Sequence, residues 1–156
     1  MPHERIEVSR TIHAPAARVW DFVSSPEGYV QIDGSGMILS AHDAGPLAAV
    51  GDTFDMDMDR EPLGDTPLGT YQVRNWVTRI ESGRLIEWST NLLGSDVPFG
   101  AVFGWRIDPL SDAVCDVANY NDWSTLPEAL GISWPIVPRE MLELSLENLS
   151  RLVGDR

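Results

Sequence analysis

Few side chains in this chain carry chemistry of their own, and their spacing limits what they can do. The histidines are His3, His13 and His42, too scattered to hold one metal ion. His13 follows an alternating run, Arg5 to Ile12, and precedes Ala14-Pro15. A general base at a pocket mouth would suit that place, because imidazole titrates near neutrality; satisfying backbone at a strand end is the plainer role. His42 stands beside Asp43, whose carboxylate would orient its ring for similar work. Asp55, Asp57 and Asp59 alternate with Phe54, Met56 and Met58. Same-face neighbours along a strand are about 6–7 Å apart, so three such carboxylates converge poorly on a cation and read as a solvated face. The lone Cys115 neighbours Asp116, which discourages a thiolate, and one cysteine makes neither an internal disulfide nor a Cys-rich zinc site. No Gly-x-Ser-x-Gly elbow, dinucleotide-binding Gly-x-Gly-x-x-Gly or P-loop occurs. No metal and no cofactor are expected. Tyr71, Tyr120, Asn119 and Asn121 remain, groups that can hydrogen-bond an uncharged ligand without burying a charge.

Charge narrows the partners. Eleven basic residues, all arginine, stand against 24 acidic ones, giving a formal charge of −13. Such a surface repels phosphate backbones and anionic headgroups, so nucleic-acid binding and tight docking on acidic membranes are disfavoured. No run approaches the roughly 18–20 apolar residues of a span, so no stable membrane insertion is expected. Residues Met1-Pro2-His3-Glu4-Arg5 lack the apolar core of a signal peptide, and a soluble cytoplasmic protein is expected. The length, 156 residues, predicts one domain over 1–156 that needs no disulfide or metal to fold.

The elements that must position these groups follow from periodicity. Ile6, Val8, Arg10 and Ile12 alternate with Glu7, Ser9 and Thr11, predicting a strand that Ala14-Pro15 ends. A helix is expected over 15–24, with Val19, Phe22 and Val23 toward the sheet. Ser24 to Gly28 stops it and starts a short second turn. Strands are expected over 37–42 and 51–60, followed by a loop, 61–67. A long strand over about 69–81 turns at Ser82-Gly83 into another over 84–92, a hairpin. Two more strands are expected near 101–108 and 113–123. Residues 125–134 read as loop with at most a short helical turn. The last helix starts near Pro135 or Pro138 and runs to Val153, with an apolar stripe of Leu142, Leu146, Leu149 and Leu152–Val153, flanked by Met141, Leu144 and Ser145. Glu140 and Arg151 suit its dipole, and Gly154 stops it. The order predicts an α+β fold with a curved, mainly antiparallel sheet of six to seven strands.

This order, with Ile12-His13-Ala14-Pro15 and Val19-Trp20, Val50-Gly51-Asp52, Leu85-Ile86-Glu87-Trp88 and Trp105-Arg106-Ile107-Asp108-Pro109-Leu110, resembles the START-like superfamily. That superfamily has the birch-pollen-allergen-like or helix-grip fold; the closer likeness is to its polyketide cyclase/dehydrase and lipid-transport branch. The resemblance implies a cavity between the sheet and a long C-terminal helix. Apolar strand faces place Phe54, Met56, Met58, Trp88, Phe103 and Trp105 on its walls, and the helix flank adds Met141, Leu144 and Ser145. Tyr71 shares a face with Val73 and Val77. Tyr120 joins the lining candidates, although alternation over 113–123 leaves open whether its face or that of Asn119 and Asn121 is inward. Trp76 is expected to be exposed, the one mark of a homodimer surface.

Three functions compete. One is binding or carriage of a small hydrophobic or aromatic molecule. Another is a polyketide cyclase or aromatase acting by proton transfer, with His13, His42, Tyr71 or Tyr120 as the weak catalytic candidates and Arg106 expected to face out. The last is a protein-interaction module of chaperone-cofactor or antitoxin type. The first is the reading to test, since no catalytic motif accompanies the apolar faces.

Overall fold

The computed structural model describes residues 5–42, 45–63, 69–98, 100–124 and 137–154. Expectations that fall on His3, on Asp43, on loop residues 64–67, on 125–134 and on a helix start at Pro135 lie outside these residues. The elements are β1 (Arg5–Ile12), α1 (Ala16–Val23), α2 (Pro26–Ile32), β2 (Ile38–His42), β3 (Thr53–Asp59), β4 (Thr70–Glu81), β5 (Leu85–Leu92), β6 (Val102–Pro109), β7 (Cys115–Asp122) and α3 (Arg139–Leu152). Two expectations need correction. The turn after Ser24 is a full seven-residue helix, α2, because Pro26 occupies its first turn, where a missing N–H costs nothing. Part of the expected loop, Glu61–Leu63, is a 3₁₀ turn.

The seven strands form one antiparallel sheet in the order β1-β7-β6-β5-β4-β3-β2. Hairpin-like connections join neighbours from β2 onward, and β1 closes against β7. Register shifts at Ile38/Ser40 and Val77/Arg79 bend β2 and β4, since an extra residue on one strand increases local twist. One face is concave and apolar. Val8 and Ile12 of β1, Val117 of β7, Trp105 and Ile107 of β6, Ile86 of β5, Val73 and Val77 of β4 and Phe54 and Met56 of β3 all join the buried core. Each large side chain so covered stabilises the fold by about 1.5–3 kcal/mol.

Helices α1 and α2 cover part of this face, and α3 lies over β1 and β7 and touches α2. The buried stripe of α3 is Leu142, Leu146, Leu149 and the following Val153, with Ser145 and Ser150 beside it. The turn after α2 is fastened to α3. Gly34 N–H donates to Ser145 Oγ (2.8 Å), and Asn148 Nδ2 donates to Ile32 O (3.2 Å). A Cβ at Gly34 would lie 2.4 Å from Met141 O and 2.7 Å from Ser145 N, so only a glycine permits this approach. Asp33 shapes the turn by accepting from the Ser35 and Ile38 N–H groups.

Candidate functional site

Cross-strand register assigns every strand side chain to a face, because directly paired residues share one. On the concave face, Ile6 pairs with Asn121 and Asn121 with Phe103; Val8 pairs with Asn119 and Asn119 with Trp105. Phe103 then pairs with Trp88, Trp88 with Val77, and Tyr71 with Met58. The undecided strand is thereby resolved: Asn119 and Asn121 face inward, and Tyr120 faces out.

The inward residues divide by burial. Phe54, Met56 and Trp105 are core, each less than 5% exposed. Met58, Tyr71, Trp88 and Phe103 are half-buried, and the first three pack against that core. Aromatic rings link the two groups. Tyr29 of α2, wholly buried, stacks on Trp88 with centroids 4.6 Å apart and lies 5.6 Å from Phe54; Trp88 stacks on Phe103 at 6.3 Å. Such pairs add about 0.5–1.5 kcal/mol each beyond burial. Tyr29 O–H donates to Val23 O (2.5 Å), and burial raises its pKa well above the ordinary value. It therefore stays a neutral wall. Sequence reading missed Tyr29, since nothing in the short 26–32 segment tells which way its ring turns.

Three expected site residues stand elsewhere. Tyr120 lies on the outer face, its ring over Gly104, where a Cβ would meet Tyr120 Cζ at 2.3 Å. Its hydroxyl donates to Glu87 Oε2 (2.5 Å), and the Arg5 guanidinium sits 4.2 Å from the ring centroid. Burial, and then the Glu87 carboxylate, push its pKa up. This tyrosine is a structural bar across β7, β6 and β5, bounded by Glu7 and Arg106, whose ion pair (2.9 Å) lowers the Glu7 pKa. Ser145 spends its hydroxyl inside the fold, accepting from Gly34 N–H and donating to Met141 O (3.1 Å). His42 is paired with Asp57, across the β2–β3 pair on the outer face (Nε2–Oδ2 2.9 Å). Asp57 also accepts from Ser40 Oγ (2.5 Å) and Gln72 Nε2 (2.9 Å), and these bonds pull its pKa down to about 2. Asp55 forms a two-bond pair with Arg74 (2.8 and 2.9 Å), and Asp59 accepts from Glu61 N–H. The aspartate row is thus a bonded outer face, and Arg106 faces out as expected.

The remaining candidates are placed without drama. His13 is exposed just beyond β1. Met141 is half-buried on α3, while Leu144 is 41% exposed beside the Gly34 turn. Trp76 is on the outer face, paired with Thr53 and Ser89, and half-covered. Cys115 is buried, its Sγ 3.5 Å from Ala14 O. A cleft of about 360 Å³ opens between the edge strand β1 and α3, lined by Glu7, Val8, Ser9, Arg10, Arg139, Glu143 and Leu146. None of the expected cavity residues lines it. Among the described residues no helix is long and apolar enough to cross a membrane.

Comparison with known proteins agrees on architecture. No protein-family model matches the chain. An uncharacterized protein of Mycobacterium tuberculosis is 26% identical over 119 residues, which are 76% of this chain but 47% of that protein, so the chain spans about half the length of this relative. Protein CV1439 of Chromobacterium violaceum superposes with a TM-score of 0.65 at 18% identity, covering 98% of this chain and 99% of that one. Norcoclaurine synthase from Thalictrum flavum gives 0.64 at 16%, covering 97% and 94%. Major latex-like protein 151 of Panax ginseng gives 0.65 at 12%, covering 96% and 97%. The likeness is one of fold: this chain has a helix-grip, birch-pollen-allergen-like architecture.

Proposed function

We propose that this protein binds a small hydrophobic or aromatic molecule between the concave face of the sheet and α3. The observation that carries the reading is the incomplete burial of Met58, Tyr71, Trp88 and Phe103. They are large apolar or aromatic side chains on the face that elsewhere forms the core. Concave sites are mostly apolar and aromatic with a few placed polar groups, and Asn119 and Asn121 supply amides on the same face. A fold neighbour points the same way: norcoclaurine synthase has a structure in complex with dopamine and hydroxybenzaldehyde, and superposes at a TM-score of 0.62. The cyclase reading has less support. His42 and Tyr120 are on the outer face, and of the four catalytic candidates Tyr71 alone has an inward side chain.

Titration with N-phenyl-1-naphthylamine, whose fluorescence rises in apolar surroundings, tests the proposal. Saturable binding of one molecule per chain is expected. Met58→Trp should fill the space and weaken binding at least about tenfold, the equivalent of some 1.4 kcal/mol. Tyr120→Phe, on the far side of the sheet, should leave it unchanged. Absence of saturable binding to the wild-type protein would end the proposal.

A further inference from the structure

We infer that Asn121 Oδ1 is the anchor for a hydrogen-bond donor on the ligand, so that the guest is an aromatic molecule bearing a hydroxyl or N–H rather than a pure hydrocarbon. The inference rests on the binding reading above. Asn121 is 0% exposed. Its side chain leaves β7 on the concave face, between the register partners Ile6 and Phe103, both only half-buried. Its Nδ2 donates to Val102 O at 3.0 Å. That bond fixes the amide: rotated by half a turn, two oxygens would face one another. Oδ1 is left as a buried acceptor with no partner among the described residues.

Such a group carries a cost. A buried acceptor without a donor forfeits about 1–3 kcal/mol relative to one that is satisfied, and native proteins leave few of them. An apolar side chain of similar size would have been the cheaper occupant of an inward position beside Phe103. The aromatic series running from Tyr29 through Trp88 to Phe103 ends at this amide. Asn121 has no exposed surface of its own here, so a guest ring entering beside the half-covered Phe103 reaches its amide by parting the side chains over it, and an edge substituent on that ring then meets Oδ1. The acceptor selects a donor there, because a molecule without one leaves the oxygen unpaired in a dry setting.

A matched pair of probes tests this: 2-naphthol and 2-methylnaphthalene, alike in shape and differing in one hydroxyl. Transfer from water favours the methyl compound, so a hydroxyl preference has to come from a partner in the site. The wild-type protein should bind 2-naphthol about tenfold tighter, the worth of one net hydrogen bond, and Asn121→Leu should abolish that preference while still binding 2-methylnaphthalene. In isotope-labelled wild-type protein, the Asn121 carboxamide carbon resonance should move with 2-naphthol and stay with 2-methylnaphthalene, a readout that does not depend on the variant folding. Equal affinities, a preference that survives Asn121→Leu, or an amide resonance indifferent to bound 2-naphthol would each overturn the anchor and leave the cavity reading standing. Failure of both probes to bind would overturn both.

Discussion

Asp57 shows how a single residue reads differently in sequence and in space. Alternation with Phe54, Met56 and Met58 puts it on the solvent side, and it is there. What alternation cannot supply is the company it keeps, because Ser40, His42 and Gln72 come from two other strands. Three donors hold its carboxyl at about 2, below the ordinary value near 4. A depressed native pKa stabilises the fold at pH above the unfolded value, and that contribution is lost as pH falls through the native one. The carboxyl carbon of Asp57 should therefore titrate with a midpoint near 2, and Asp57→Asn should remove part of the decline in thermal stability between pH 4 and pH 2. A midpoint near 4 would show that the bonds do not hold in solution. Tyr120 illustrates the opposite problem. Its strand carries apolar residues on both faces, with Cys115 and Val117 alternating with Ala118 and Tyr120. The available signal was Gly104, a missing side chain between Phe103 and Trp105, which leaves room outside the sheet for a large ring.

At the scale of elements, the periodic segments were legible. The strand β1 and the β4–β5 hairpin fall within a residue or two of their expected bounds, and α3 begins just after Pro138, one of its two expected starts, since each has a clear period and a marked end. The contact of the α2–β2 turn with α3 was not legible. It joins Gly34 to Ser145 across more than a hundred residues, and no local pattern announces it. The same contact gives Ser145, on the flank of the apolar stripe, a structural task that its position cannot reveal: a serine beside a cavity and a serine holding a turn have the same helical address. Gly34→Ala should be costly, because its Cβ would meet backbone rather than a yielding side chain. Overpacking of this kind costs about 1–3 kcal/mol, so the melting temperature should fall by roughly 2–12 °C for a domain of this size. Ala tolerated at full stability would mean that α3 sits further from the turn.

For the whole molecule, the relevant quantity is how completely α3 and the sheet cover one another. Helix α3 rests on β1 and β7, while Met58 and Tyr71 belong to β3 and β4, on the same face but toward the opposite edge of the sheet. Those side chains keep part of their apolar surface uncovered. A guest that covers it binds the folded state alone and must stabilise it by mass action. At a free concentration a hundredfold above its dissociation constant, N-phenyl-1-naphthylamine should add about 2.7 kcal/mol and raise the melting temperature by roughly 5–11 °C. A melting temperature that does not respond under saturating conditions would place the dye on the unfolded chain as much as on the fold.

The sequence by itself determined the order of elements, the α+β class with its mainly antiparallel sheet, the solvated aspartate face and the outward turn of Arg106. Each follows from local periodicity and from chain-breaking residues, which act over a few neighbours. Only the tertiary structure decided that Asn121 points in while Tyr120 points out, that Asp57 serves His42, and that Ser145 and Gly34 join the turn to α3. These depend on register and close approach between segments far apart in the chain, where two faces of one strand are equal until a third element covers one of them.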